Sequence, residues 1–501
     1  MLLIFPPAAK ACEPPAGIAR LAAALQIYGI GCHLLDANLE GQLWLLEQPA
    51  TAHDTWSRRA VKNRTANLSA LRNPKTYEIP DRYSRVVSDL NRLLAISCAE
   101  QGVVVGLADY QCSKFSPVRS ADLMAAAEHP ETNPFFPYFS RRIPELLEGI
   151  DMVGFSLNYL SQALCTFAMI GFLKKQFPKL KIVLGGGLVT SWMRNAAWSN
   201  PFESLVDHFI AGAGEEPLLS LFGIKSSPNP PVMPDYSSLP LSDYFSPGLI
   251  LPYSAAAGCY WNRCSFCPER AEGNDYCPIP VSQVLSDLQQ LTAVNKPALI
   301  HLLDNAVSPA LLRTLAENPP EVPWYGFARI DEQLADPDFC RALKRSGCVM
   351  LKLGLESGDQ RVLDRMGKGI RLEVVSRVLF NLQQAGIAVY CYLLFGTPGE
   401  TELDALRTLE FVVRHREQIR FLNLAVFNMP LCGDEAEEYG TKLFYDGDLS
   451  LYTAFQHPGG WDRVQVRRFL ESRFKRHPAV ASIVRNDPPQ FSSNHAPFFC
   501  I

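Results

Sequence analysis

"YSAAAGCYWNRCSFCPER" occupies residues 253–270, and its reading decides the architecture of the chain. The first six residues read as a strand that stops at a glycine. Directly beyond them lies a loop with three cysteines, Cys259, Cys264 and Cys267. Five further strand-like segments follow: "ALIHLLD" (298–304), "WYGFAR" (324–329), "VMLKLGLE" (349–356), "AVYCYLLFG" (388–396) and "FLNLAVFN" (421–428). Amphipathic stretches separate them, as at 371–385, where Val374, Val375, Val378, Leu379 and Leu382 keep helical spacing. This alternation predicts parallel strands with helices between them. Six units are too few for an eight-fold barrel and give a partial (βα)6 barrel of the TIM type.

In such barrels chemistry collects at the C-terminal ends of the strands. The residues there are the cysteine loop, Asp304-Asn305, Arg329, Glu356-Ser357 and Gly396-Thr397-Pro398-Gly399-Glu400. One polar strand ending says little, because strands commonly stop at polar residues. Five in succession bring thiols, carboxylates, an arginine and a glycine turn to one mouth. Closely spaced thiolates hold zinc or an iron–sulfur cluster. A closed zinc site needs a fourth donor, and the nearby candidate is Cys277. Three thiolates on a four-iron cluster instead leave one iron open. The residues alone leave both readings standing.

Upstream, "MLLIF" reads as a buried strand, followed by a helix with Ile18, Leu21, Ala22 and Leu25 on its apolar face and Gly29 at its end. "CHLLD" (32–36), "MVGFSL" (152–157), "KIVLGGG" (181–187) and "HFIAG" (208–212) add strands, with helices over 160–176 and from near Glu215. This is the pattern of a Rossmann-like open parallel sheet. The glycines of "GGGLVTS" and "GAGEE" fall at strand ends, where they serve as tight turns or admit a ligand to the backbone. No G-x-G-x-x-G follows the first strand, which speaks against a dinucleotide. The expected division is 1–222 with a largely helical insertion at 45–148 of no legible role, a Pro- and Ser-rich linker at 223–250, the barrel at 251–435, and a mostly helical extension at 436–501. His495 and Cys500 in that extension stay outside the catalytic set.

The composition is that of a globular protein: 501 residues, 48% hydrophobic, 20% charged, with a net charge of -4. That balance argues against a chain-wide nucleic-acid surface. The clusters Arg58-Arg59-Lys62-Arg64 and Arg467-Arg468-Arg473-Lys475-Arg476 read as solvated helix faces. No apolar run approaches the ~20 residues of a membrane span, and the first residues do not read as a signal peptide. The expectation is a cytoplasmic protein without a nucleic-acid or membrane partner. Most of the fourteen cysteines, among them Cys32, Cys98, Cys165, Cys348 and Cys391, sit in apolar surroundings as small hydrophobes.

The cysteine loop resembles the cluster-binding loop of radical S-adenosylmethionine (SAM) enzymes, usually C-x3-C-x2-C with an aromatic before the last cysteine. Phe266 supplies the aromatic, and the first spacing here is x4. "HLLDN", "FARIDEQLADPDFCRALKRSGC", "LKLGLESGDQRVLDRMGKG" and "YLLFGTPGET" resemble, in order and spacing, the branch with an N-terminal cobalamin-binding domain. "FPPAAKACEPPAGIARLAAALQIYGIGCHLLDANLEG", "DMVGFSLNYLSQAL" and "IVLGGGLVTS" resemble that domain.

The resemblance implies that Cys259, Cys264 and Cys267 bind a [4Fe–4S] cluster whose open iron takes the amino and carboxylate groups of SAM. Reductive cleavage then yields a 5′-deoxyadenosyl radical, with a reductant such as flavodoxin or ferredoxin supplying the electron. It further implies that Phe266, Asp304, Asn305, Arg329, Glu356, Ser357, Gly396 and Pro398 contact SAM. Asp304 and Asn305 would meet the ammonium, Arg329 the carboxylate, Glu356 the ribose, and the Gly396 turn the adenine. Arg365 and Lys368 divide evenly between ligand contact and salt bridge. A cobalamin would lie along Ser156, Leu157, Asn158, Gly185, Gly186, Gly187, Gly212, Gly214 and Glu215. No D-x-H-x-x-G motif supplies a histidine for cobalt. The implied activity is methylation of an unactivated carbon of a peptide or other natural product. The alternatives are a radical maturase without methyl transfer and a zinc-stabilised binding protein.

Overall fold

The first strand alternates, and that alternation sets the layers of the N-terminal half. In the computed structural model, which describes residues 1–225, 232–433, 435–443, 446–487 and 495–500, Leu2 and Ile4 enter a large core while Met1 and Leu3 enter a smaller one on the opposite side. A strand buried on both faces belongs inside a doubly covered parallel sheet. That sheet comprises β1 (Leu2–Phe5), β2 (His33–Asp36), β3 (Met152–Ser156), β4 (Lys181–Gly185) and β5 (His208–Ile210), in the order β2-β1-β3-β4-β5. Every pairing is parallel. Helices α1 (Ala16–Ile27) and α4 (Glu215–Leu221) cover the smaller core. Helix α2 (Leu160–Gln176) lies in the larger one, and α3 (Gly187–Arg194) follows β4. Gly154 in β3 leaves room for Leu3 and Met1, whose atoms would stand 2.7 and 2.8 Å from a Cβ there.

The 45–148 insertion helps build the larger core. Its Leu90, Leu93, Leu94, Phe135 and Phe139 pack there with Phe167 and Ile170 of α2. At Gly171 the helix α2 comes so close to Ala127 that a Cβ would overlap the backbone. Besides its helices the insertion carries a two-stranded hairpin, Val103–Val105 against Tyr110–Cys112. Two of the four basic residues expected on a solvated face are tied down: Arg59 pairs with buried Asp89 at 2.6 Å, and Arg64 donates to the carbonyls of Leu46 and Glu47.

The chain divides into two compact units, one holding 1–250 with the described parts of 445–451 and 488–501, the other 251–444 and 452–487. Residues expected as linker join the first unit through ordered bonds. Asp235 N donates to Ala19 O at 3.2 Å, Phe245 N to Ala11 O at 2.7 Å, and the Tyr244 hydroxyl to Asp36 at 2.8 Å. Residues 495–500 do the same, with Phe498 edge-on to Tyr77 and Tyr83. His495 and Cys500 are buried there, and burial pushes the Cys500 thiol up to about 12.

In the second unit, six strands run in the order β11-β10-β9-β8-β7-β6: β6 (Ile250–Tyr253), β7 (Leu299–Leu302), β8 (Trp324–Ala328), β9 (Cys348–Glu356), β10 (Ala388–Phe395) and β11 (Phe421–Val426). The barrel strand expected at 253–258 is displaced upstream. Ile250, Leu251 and Tyr253 supply the bulk a barrel core needs, and the alanines do not. Ala256–Ala257 instead form a short antiparallel ribbon with Cys277–Pro278. Amphipathic helices connect the strands, capped by Ser308, Asp336 and Thr401 at their N-termini and by Gly386 at one C-terminus. Beyond β11 comes a small three-stranded antiparallel sheet, Met429–Pro430, Tyr452–Phe455 and Thr441–Leu443, before helices Arg463–Phe469 and Pro478–Val484. Among the described residues no helix is long and apolar enough to cross a membrane.

Candidate functional site

The cysteine loop is seated on the Met366–Gly369 turn. Ser265 N donates to Met366 O at 3.0 Å and Trp261 Nε1 to Gly367 O at 3.2 Å. Gly367 and Gly369 both have positive φ, and a Cβ on either would run into Arg263 or the Trp261 ring, so the turn requires both glycines. The Arg329 guanidinium lies 3.6 Å over the Trp261 ring and donates to the carbonyls of Lys368 and Gly369. Asn305 Nδ2 donates to Gly258 O at 3.3 Å, holding the other end of the loop.

All three thiols are half-buried and free. Burial pushes the Cys264 thiol up, and the Lys368 and Arg329 charges pull it back toward thiolate. Burial also raises Cys267, opposed by the amides of Arg270 and Glu269. Cys277, the candidate fourth zinc donor, is exposed on the ribbon opposite Ala257. Among the described residues no three His, Cys, Asp or Glu side chains gather as ligands of one ion.

Glu356 ends β9 with φ of 65°, just after a register shift. Its Oε1 accepts from Lys368 Nζ at 2.8 Å, with both side chains largely shielded. Lys368 also lies 5.7 Å over the Phe266 ring. Ser357 is fully buried, and its hydroxyl is taken by Thr408 Oγ1 and the Asp359 amide.

Asp304 and Arg329, like Arg365 and Glu400, form no ion pair with a carboxylate or an amine among the described residues. Asp304 is 3% exposed, and Ala255 N donates to its Oδ2 at 3.1 Å. Burial pushes its carboxyl up to about 6 against the pull of backbone amides. Arg329 bonds carbonyls and stacks on Trp261, and burial lowers its pKa against the pull of Cys264, Tyr260 and Cys259. A buried acid and a half-buried base suit a ligand carrying both an ammonium and a carboxylate.

At the end of β10, Gly396 takes φ of 82° and its amide donates to Glu400. Arg365 donates to Gly399 O, and Pro398 at the tip is half-buried. Inside the barrel, Lys352 Nζ lies 3.4 Å from His301 Nε2 and 5.0 Å from the ring centres of Tyr325 and Phe327. Sequence reasoning singled out neither this cluster nor Trp261, although Trp261 lies within the opening stretch.

The sheet edge in the first unit is a different kind of surface. Beyond Ser156, the Leu157 amide donates to Gly185 O at 2.7 Å, and Leu157 O accepts from Leu188 N. Asn158 Oδ1 accepts from Gly187 N at 2.9 Å, and its Nδ2 donates to Ser156 Oγ. Gly186 has φ of 109°, and a Cβ there would overlap Leu157. Gly212 faces open space, as Gly187 does apart from Asn158, while Gly214 packs near Leu21. Glu215, expected at the ligand, is paired with Arg20 at 2.7 Å. Gly212 N donates to Thr190 Oγ1 at 2.9 Å, so the edge consists of glycines and short polar side chains that bond one another.

Residues 253–412 match the radical SAM superfamily. The bacteriochlorophyllide d C-12(1)-methyltransferase of Chlorobaculum tepidum is 26% identical over 35% of this chain, and the match spans 40% of that relative's length. Among solved structures, the radical SAM methyltransferase TsrM from Kitasatospora setae, with cobalamin and a [4Fe–4S] cluster bound, aligns over 89% of this chain and 81% of its own with a TM-score of 0.54. The cobalamin-dependent SAM radical enzyme OxsB, with aqua-cobalamin and SAM bound, aligns over 67% and 60% with a TM-score of 0.53. Both are 15% identical, so these two likenesses concern the fold. Residues 253–412 thus carry a radical SAM domain, and with a parallel sheet ahead of that domain the chain shares the fold of these two enzymes.

Proposed function

We propose that the chain cleaves SAM reductively at a [4Fe–4S] cluster held by Cys259, Cys264 and Cys267, and that it carries a cobalamin on the edge of its N-terminal sheet to methylate an unactivated carbon of a peptide or other natural product. When bound, the cluster supplies the electron that splits the sulfonium carbon–sulfur bond, and the cobalamin supplies the methyl group.

The chain's own residues bind and orient. Asp304 receives the methionyl ammonium, and Arg329 the carboxylate beside the thiol loop. Glu356 accepts from the ribose hydroxyls while Lys368 holds it in place at 2.8 Å. The Gly396–Pro398 turn offers backbone to the adenine, and Phe266 packs beside it. Asn305 and Ser357 act through the loops they tie together. The observation that carries this reading is that Asp304 and Arg329, a carboxyl and a guanidinium for the two ends of an amino acid, both stand at the strand ends and Arg329 lies beside the Cys264 thiol. The edge glycines, above all Gly212, support the cobalamin part.

Anaerobic reconstitution with iron and sulfide, followed by reduction in the presence of SAM, tests it. The expected products are 5′-deoxyadenosine and methionine, with corrinoid retained through gel filtration. An intact cluster that leaves SAM uncleaved overturns the proposal. SAM cleavage without corrinoid retention favours the reading without methyl transfer.

A further inference from the structure

The C-terminal extension shows no motif in the sequence, yet it reaches the Gly396–Glu400 turn at three points. His457 Nε2 donates to Thr397 O at 2.9 Å. Trp461 Nε1 donates to Glu400 Oε2 at 3.0 Å, and Val466 packs against Gly396. The histidine is fixed in one tautomer. The amides of Gly459 and Trp461 both donate to Nδ1 at 3.1 Å, so the ring proton sits on Nε2, aimed at Thr397. Burial lowers the His457 pKa, which keeps the ring neutral.

Glu400 is the hub of the turn and is 1% exposed. Its Oε2 accepts from both Gly396 N and Trp461 Nε1, while Oε1 meets no hydrogen-bond partner among the described residues. Burial pushes the carboxyl up to about 8, so it holds its proton at neutral pH, and the doubly engaged Oε2 leaves that proton to Oε1. Beside this assembly lies a cavity of ≈ 50 Å³. Gly396, Val426 and Phe427 line it from the barrel, and Phe455, His457 and Trp461 from the extension. The cavity is a small slot between the turn and the aromatic residues of the extension.

We propose that residues 452–466 form a cap that fixes the Gly396–Glu400 turn and walls the adenine side of the SAM site, with His457, Trp461 and Glu400 as positioning residues. This rests on the reading of the turn given above. The ligand class is a purine nucleoside sulfonium, whose ring edge enters the slot between Gly396 and the aromatic residues of the cap.

The test uses the reconstituted full chain and measures SAM and S-adenosylhomocysteine binding beside iron content and the low-temperature spectrum of the reduced cluster. Trp461→Phe keeps the ring and removes one donor to Glu400. It is expected to weaken both ligands by about three- to tenfold, the range for one lost hydrogen bond, with iron content and the ligand-free spectrum unchanged. Glu400→Gln, which keeps a neutral donor and acceptor, should bind near wild type, and Glu400→Ala should not. If Trp461→Phe fails to hold iron, the Gln and Ala pair carries the test by itself. Wild-type affinity in both Trp461→Phe and Glu400→Ala overturns the cap. Wild-type protein that holds its cluster yet binds neither ligand overturns the functional reading beneath it.

Discussion

The barrel rim and the N-terminal sheet edge lie at the same place in two parallel sheets, the C-terminal ends of the strands, and are built in opposite ways. The rim is side-chain chemistry: thiols, the Glu356–Lys368 pair, an arginine flat on a tryptophan, and two buried carboxyls with raised pKa. The edge is glycines and short polar side chains, and the acidic residue expected at its ligand, Glu215, is already paired with Arg20. A rim of this kind can discriminate charge and hold metal. An edge of that kind recognises shape. Single substitutions should therefore be severe and chemical at the rim, steric at the edge.

The largest effect is expected from replacing any one of Cys259, Cys264 or Cys267 by alanine. Iron retention and SAM cleavage should both vanish while far-UV circular dichroism stays unchanged. Next comes Lys368→Met. It leaves the Glu356 carboxylate shielded and unpaired, which should cost on the order of 2 kcal/mol, less than for a fully buried pair because both groups keep some exposure. Chemical denaturation of the apoprotein reads that directly, and Glu356→Gln on the same background should recover part of it.

Gly187→Phe sharpens the contrast from the other side. A Cβ at Gly187 meets only Asn158, at 3.7 Å, so the fold should tolerate the change. Corrinoid retained after gel filtration should fall while iron content holds. Loss of both together would break the distinction between rim and edge.

The mildest prediction concerns pH. The folded Glu400 carboxyl is raised from 4.5 to about 8, so the native state keeps a proton that the unfolded chain gives up. Its contribution to stability is full below pH 4.5, declines as pH rises, and is lost by about pH 8. The slope is at most about 1.4 kcal/mol per pH unit. Glu400→Gln needs no such proton, so its stability relative to wild type should increase from pH 5.5 to pH 7.5 in urea melts. An unchanged difference would show that Glu400 is ionised in the folded state.

The same contrast explains what could be read in advance. Strand-end residues of the barrel are legible because spacing fixes them: a parallel strand delivers its last side chain to the mouth whatever its neighbours do. Asp304, Arg329 and Glu356 were reached that way. Ser357, just past the end of β9, points into the packing with Thr408, because Glu356 takes φ of 65° and turns the chain out of the strand. The insertion was opaque because its helices complete a core whose other half lies further along the chain, beyond β3, at Phe167 and Ile170. The first barrel strand was misplaced because alanines fit a ribbon as readily as a barrel stave. His457 and Trp461 gave no signal, since their partners are a carbonyl and a carboxyl some sixty residues away, and only the folded chain brings them together.

The central claim is that three thiolates leave one iron free for SAM. Low-temperature electron paramagnetic resonance of the reduced, reconstituted protein, recorded before and after SAM is added, tests it most directly. Expected is a [4Fe–4S]+ signal that shifts on binding SAM and is lost when Cys264 is replaced. A zinc-loaded protein without that signal, or a cluster whose spectrum ignores SAM, would contradict it.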